Sequence, residues 1–375
     1  MRFILPLLFS LFAFTASAQP LGGPTLAARA WLLLDQSTGQ VLVANEPDTR
    51  IEPASLTKLM TAYVTFSALK AGTIALDQQV PVSEAAWRQV GSRMFIEPRK
   101  PVTVEELIRG MIVQSGNDAC VALAELVAGS EEAFAQLMNR EAQRLGMHNS
   151  NFTNSTGLPD EQLYTTVADL GVLASAIVRD FPEFYALYSE KEYTYNDIRQ
   201  PNRNRLLWLD GTVDGMKTGH TSSAGYCLVA SAQRGPRRLI SVVVGTDSDT
   251  IRAQESLKLL NYGFQFFDTV QLYSAGQAVS QFRVWKGKAK EIPVGFTADF
   301  VMSLPKDQKD KVTATLTSQQ PLIAPVQRGQ QVGSMTLALD GRTLGEYPVL
   351  ALQDVPVAGF FGRLWDALVM WFRKL

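Results

Sequence analysis

Apolar positions change their period three times along the chain. From Ala30, two apolar runs, Trp31-Leu32-Leu33-Leu34-Asp35 and Gln40-Val41-Leu42-Val43, flank the turn residues Gln36-Ser37-Thr38-Gly39 and predict a hairpin. The spacing then becomes helical over residues 55–70, 83–90, 104–113, 119–128, 131–145 and 165–179. Strand-like runs return at 226–231 and 238–244, and residues 249–267 read as a closing helix. Strands at both ends with helices between them predict an α/β (α+β) domain, one sheet covered by helices. From about Val270 to Asp354, short alternating runs such as 280–285, 311–317 and 333–339 are separated by Gly, Pro and Asp. That punctuation predicts a small all-β sandwich.

The last stretch has a different character. At about 100° per residue, residues 359–375 place Arg363, Asp366, Met370, Arg373 and Lys374 on one side. Phe361, Leu364, Trp365, Leu368, Trp371, Phe372 and Leu375 fall on the other. Aromatic bulk opposite basic residues, after a break at Pro356, reads as an amphipathic helix lying in a membrane interface. It is too short and too charged to span a bilayer. The alternative is a terminal helix docked on the protein's own core. At the other end, Arg2, an apolar run over residues 3–15 and the small residues Ala16-Ser17-Ala18 match a secretory signal peptide cut before Gln19. The expected organisation is therefore a signal peptide over 1–18, a catalytic domain over 19–269, a β-domain over 270–355 and an anchoring helix over 356–375.

Composition narrows the function. The 375 residues, 46% apolar, suffice for two domains with real cores. Lys and Arg number 35 against 36 Asp and Glu, a balance that offers no global attraction to nucleic acid. The two cysteines, Cys120 and Cys227, sit in apolar stretches and read as buried free thiols. Neither belongs to a ligand-spaced cluster, so no metal or other cofactor is expected.

Three short motifs carry the candidate chemistry. In Ser55-Leu56-Thr57-Lys58 a helical start puts hydroxyl and amine on one face, three residues apart. A serine becomes a nucleophile when a base takes its proton. Lysine is such a base only when burial or another cation depresses its pKa. Ser115-Gly116-Asn117 offers a proton relay in Ser115 and an amide-binding group in Asn117. Lys217-Thr218-Gly219-His220 offers a cation, a hydroxyl and a backbone open to close approach at Gly219. Each motif alone is also a common cap or strand edge.

Taken together, in this order, the motifs resemble the signature of penicillin-binding proteins and serine β-lactamases. The segments around them, Pro53–Thr61, Asn151–Leu158 and Asp214–Thr221, are similar to those of the D-alanyl-D-alanine carboxypeptidases, the low-molecular-weight penicillin-binding proteins. The resemblance covers nearly the whole chain after the leader. It implies a β-lactamase/transpeptidase-like catalytic domain and a serine-type carboxypeptidase that removes the terminal D-alanine of peptidoglycan stem peptides through an acyl-enzyme. It implies Ser55 as nucleophile, Lys58 as general base, Ser115 as proton relay assisted by Lys217, and Asn117 as orienter of the peptide. Backbone N–H groups of Ser55 and His220 would form the oxyanion hole. Lys217, Thr218, Gly219, His220 and Arg252 would bind substrate, with Arg252 meeting the free carboxylate. His148 reads as a turn residue, Asp35 as part of a turn, and Asp214 as the strand entry before Lys217.

Implied partners are stem peptides ending in D-Ala-D-Ala, β-lactam antibiotics and the outer face of the inner membrane, which puts the protein in the periplasm. A D,D-endopeptidase is the nearest alternative. A β-lactamase would need a deacylating glutamate that has no clear candidate here. A wall-binding protein without turnover would not need the full motif set.

Overall fold

A computed structural model describes residues 23–372, so the expected leader over 1–18 and the basic pair Arg373 and Lys374 lie outside the described residues. The chain divides into two units, with the change between Phe266 and Phe267. The first unit runs β1 (Ala30–Asp35), β2 (Gln40–Asn45), α1 (Lys58–Lys70), β3 (Gln79–Val80), α2 (Glu84–Trp87), β4 (Val102–Thr103), α3 (Val104–Val113), α4 (Asn117–Ala128) and α5 (Glu131–Leu145). It continues with α6 (Val167–Asp180), α7 (Pro182–Tyr185), β5 (Glu192–Tyr195), β6 (Ile198–Pro201), α8 (Leu206–Leu209), β7 (Val213–Thr221), β8 (Gly225–Arg234), β9 (Arg237–Thr246) and α9 (Asp249–Phe266).

Its main sheet has the order β2-β1-β9-β8-β7 with antiparallel neighbours throughout. Every residue of β1 is buried, because the sheet is covered on both faces. Successive residues of a strand point to opposite faces. Leu32 meets α6 at Gly171, and Leu33 meets α9 at Gly263, each glycine standing where a Cβ would collide with the leucine or crowd it. This explains an apolar run without alternation. β7 forms one edge of the sheet, and α1, buried almost all round, fills the helical half.

The periodic, capped helices lie where their pattern predicts. α3 starts in a reciprocal capping box between Thr103 and Glu106, and α5 stops at Gly146 in the left-handed conformation. The helix expected over 83–90 ends instead at Trp87. The sequence reading missed the hairpin β5–β6 and the short α7 and α8. Asp35 ends β1 and holds the turn that follows, its carbonyl accepting from Gly39 N–H at 2.8 Å and its carboxylate from Ser37 N–H at 3.0 Å, and the buried carboxylate also pairs with Arg237 at 2.8 Å. Asp214 is the second residue of β7 and pairs with Arg238. Cys120 and Cys227 are buried free thiols.

The second unit comprises β10 (Phe267–Tyr273), β11 (Ala278–Trp285), β12 (Glu291–Gly295), β13 (Phe300–Pro305), β14 (Val312–Ser318), β15 (Leu322–Ile323), β16 (Gln331–Leu339), β17 (Arg342–Ala351) and α10 (Phe360–Phe372). Six strands form one sheet in the order β14-β16-β17-β12-β11-β15, and β10 pairs with β13. The core gathers Phe282, Val284, Ile292, Met302, Leu337 and Val349. α10 is inverted relative to an ordinary surface helix. Phe361 is 83% exposed and Trp365 68%, while the one buried side chain is Asp366 at 2%. No described helix is long and apolar enough to cross a membrane.

Candidate active site

Ser55 sits on a tight turn, and Lys58 opens the helix that follows it. Residues Ala54–Thr57 form a single 3-10 turn that runs into α1. Ala54, just before the serine, has φ 47°, a conformation that non-glycine residues adopt only at some cost. The turn is held from three sides. Gly157 packs so closely that a Cβ there would lie 1.8 Å from the Ala54 carbonyl oxygen. Gly219 of β7 lets the strand lie against Pro53 and Leu56, where a Cβ would be 3.2 Å from the nearest atoms. Glu52 accepts a hydrogen bond from Thr221 at the end of β7 at 3.0 Å.

The Lys58 amine is buried at the centre of the site. Its Nζ lies 3.0 Å from Ser55 Oγ, 2.7 Å from Asn117 Oδ1 and 2.5 Å from the Thr156 carbonyl oxygen. Burial, opposed in part by nearby acidic groups and reinforced by the Arg203 charge, brings its pKa down to about 8. These three neighbours differ in what they can do. Asn117 Oδ1 and the Thr156 carbonyl only accept, so they take the two N–H groups of a neutral amine. The lone pair is then left for Ser55, whose hydroxyl alone among the three can donate.

The second motif lies at the N-terminus of α4. Ser115 has φ 68°, and its buried Oγ has no hydrogen-bond partner. Strain and an unmade hydrogen bond together cost about 2–6 kcal/mol, a combination that points to a functional constraint. Asn117 is fixed by donating from Nδ2 to the Val90 carbonyl at 2.6 Å. The third motif lies on β7. Lys217 is buried, donates to the Thr218 carbonyl at 3.0 Å, and has its pKa held well below the usual value by burial and then by the Lys58 charge. Thr218 is buried beside it, and the exposed His220 ring lies against Tyr226 with centroids 4.0 Å apart. Arg252, in the first turn of α9, is buried, with its Nε unpartnered and its guanidinium 5.7 Å from the Tyr226 ring. His148 lies in the turn after α5.

Ser55, Lys58 and Asn117 are therefore joined by direct hydrogen bonds, with Lys217 in electrostatic reach. Three contributors escaped the sequence reading. The Thr156 carbonyl anchors Lys58, and its loop is shaped by Asn154 Oδ1, which accepts from the backbone of Thr156 and Gly157. Asp118 accepts from the backbone N–H groups of Met94, Phe95 and Ile96 at 2.9, 2.8 and 3.2 Å, clamping the loop that also holds Asn117. Arg203 forms no ion pair among the described residues, and its charge lowers the pKa of both lysines. The site thus gathers Lys58, Lys217, Arg203 and Arg252 without a paired acid, a well suited to an anionic ligand.

Comparison with known proteins finds relatives that cover most of the chain. A family model described as D-alanyl-D-alanine carboxypeptidase matches residues 14–248, and one for the C-terminal domain of penicillin-binding protein 5 matches residues 267–357. The chain is 45% identical over 374 residues to the D-alanyl-D-alanine carboxypeptidase DacC of Escherichia coli, covering 97% of this chain and 94% of the relative. Its fold matches penicillin-binding protein 5 from Haemophilus influenzae with a TM-score of 0.84 at 42% identity, over 90% of this chain and 99% of the other. Penicillin-binding protein D2 from Listeria monocytogenes, in its ampicillin-bound form, matches with a TM-score of 0.60 at 28% identity, over 65% of this chain and all of the other.

Proposed function

The chain belongs to the D-alanyl-D-alanine carboxypeptidase family, and from that membership we propose how its residues divide the work. The protein is a serine hydrolase that removes the terminal D-alanine from peptidoglycan peptides. Ser55 Oγ attacks the carbonyl of the penultimate D-alanine while the neutral Lys58 amine takes the hydroxyl proton. The Ser55–Lys58 contact, with the amine buried and its pKa brought down to about 8, is the observation that carries this reading. The oxyanion collects on the backbone N–H groups of Ser55 and His220. Ser115, assisted by Lys217, passes that proton from Lys58 to the leaving amine. Its unpartnered hydroxyl supports this role, since a relay needs a free lone pair and a free proton.

Asn117 aligns the peptide, and Lys217, Thr218 and Gly219 of β7 line its path. Arg252, with Arg203 beside it, meets the terminal carboxylate, which gives the buried Nε a partner. Water then releases the acyl-enzyme. β-Lactams acylate the same serine. No observation favours a cross-link-cutting D,D-endopeptidase or a β-lactamase over this reading.

The test is release of D-alanine from a peptide ending in D-Ala-D-Ala, with Ser55→Ala as control. Wild-type release together with covalent penicillin labelling, both lost in the variant, is the expected result. Equal release by the two proteins would remove Ser55 from the mechanism. We assign residues 19–266 to the catalytic domain, 267–355 to the β-domain and 356–375 to a peripheral membrane anchor. Export through a cleaved leader places the enzyme in the periplasm, on the outer face of the inner membrane. The outward apolar face of α10 supports the anchor.

A further inference from the structure

A cleft of about 590 Å³ opens in the catalytic unit, lined in part by the loop that Asp118 clamps and by Asp118 itself. Its floor is apolar. Trp87, Phe95 and Ile198, on three separate segments, are each 36–40% exposed there. Its charges are unevenly satisfied. Glu84 pairs with Arg88, Glu97 pairs with Lys100, and the Asp118 carboxylate is taken up by backbone N–H groups. Arg93 and Arg99 line the same cleft and form no ion pair among the described residues. The Arg93 guanidinium instead lies 5.2 Å from the Phe95 ring. Arg88 and Lys100 cancel the two glutamates, so Arg93 and Arg99 face only the Asp118 carboxylate, and the cleft keeps one positive charge in excess beside its aromatic side chains, the chemistry that receives a carboxylate on an apolar scaffold.

The cleft is tied to the catalytic site by one short piece of chain. Asp118, on its wall, follows Asn117, whose amide holds the Val90 carbonyl of the same loop. A polymer engaged at Ser55 would therefore have further segments within range of the cleft. We propose that this cleft is a binding site for a carboxylate-bearing stem-peptide segment of the wall polymer, other than the D-Ala-D-Ala end being cut, held by Arg93 and Arg99 against Trp87. This rests on the carboxypeptidase reading for its ligand. The cleft would distinguish polymeric wall from a short peptide by adding contacts that the short peptide cannot reach.

The experiment separates the two sites by blocking one. Protein acylated with penicillin has its catalytic cleft filled, and is titrated with a fluorescein-labelled stem tripeptide that lacks both D-alanines, followed by anisotropy. Binding that weakens with salt, and that falls by about tenfold or more in an Arg93→Gln/Arg99→Gln variant, is expected. A Trp87→Ala variant should weaken it as well. The same variants should keep wild-type penicillin acylation and wild-type kcat/KM on a diacetylated tripeptide ending in D-Ala-D-Ala, while KM on solubilised pentapeptide wall fragments rises. No binding to the acylated wild type, or binding that the arginine pair does not affect, overturns the proposal. So does an equal fall in penicillin acylation and in both peptide activities, which would mean that the loop acts on the catalytic site itself. A wild type that bound the tripeptide but released no D-alanine would leave the cleft standing and remove the carboxypeptidase reading instead.

Discussion

At the scale of single residues, the proposed mechanism makes the protonation of Lys58 decide whether the site works. In that mechanism only the neutral amine takes the Ser55 proton, and burial with the Arg203 charge brings its pKa to about 8. Acylation by penicillin should therefore rise with pH and reach half its plateau near pH 8. Arg203→Ala removes a charge that disfavours the ammonium, so the Lys58 pKa should rise and the limb move to higher pH, by about half a unit to one unit. Arg203→Lys keeps the charge and should leave the limb where it is. A limb that ignores all three proteins would take Arg203 out of the electrostatics of the site. Ser55, Lys58, Ser115, Asn117 and Lys217 were legible in sequence because motif order carries them. Arg203 and Asp118 were not. An arginine among polar neighbours and an acid in the first turn of a helix are ordinary surface residues until the fold shows that one lacks a partner and the other has backbone partners. Thr156 acts through its carbonyl, which leaves no trace in residue type.

At the scale of elements, the catalytic turn depends on a loop that arrives from more than 90 residues away in sequence. Gly157 has φ 82°, and a Cβ there would strike the Ala54 carbonyl. Gly157→Ala should push residues 154–157 off the turn, withdraw the Thr156 acceptor from Lys58 and lower penicillin acylation by about a hundredfold, with about 1–3 kcal/mol lost in stability. Gly72→Ala is the matched control. It has φ 70° but open space around it, so it should lose about 1 kcal/mol and acylate normally. Equal acylation by the two variants would show that backbone strain alone, and not the collision, matters. Elements with clean periodicity and caps, such as α3 and α5, were readable in advance. The hairpin β5–β6 was passed over because its strands are polar and half exposed. A signal was present nonetheless: Asn196-Asp197 supplies two consecutive positive φ values, 48° and 59°, between Tyr193 and Tyr195 on one side and Ile198 on the other.

At the scale of the molecule, each unit has its own apolar core, and the exposed aromatic face belongs to neither. Over the described residues 360–372 the amphipathic wheel puts the exposed aromatic side chains on one side and Asp366 on the other, but it could not say which side would meet the protein. α10 docks through its polar side. Asp366 accepts from the Lys286 backbone N–H at 2.6 Å and from Lys290 Nζ at 2.8 Å, both within the β-unit. Burial pushes its pKa up, but the Lys290 ammonium and the Lys286 N–H outweigh that and hold it below the usual carboxylate value. A depressed folded pKa means that this docking is fully present above the unfolded carboxyl pKa of about 3.9 and is lost as pH falls through the lower folded value. It should therefore hold from neutral to mildly acidic pH. Asp366→Ala leaves Lys286 and Lys290 without their acceptor and should cost the docked helix about 1–3 kcal/mol, read as faster hydrogen exchange over residues 360–372 at neutral pH. Removal of residues 357–375 should release the protein from phospholipid vesicles while kcat/KM on a soluble peptide stays at the wild-type value. If the truncated protein remained vesicle-bound, the outward face of α10 would need another occupant, and a second copy of the chain, visible as a dimer by sedimentation, would be the one to look for.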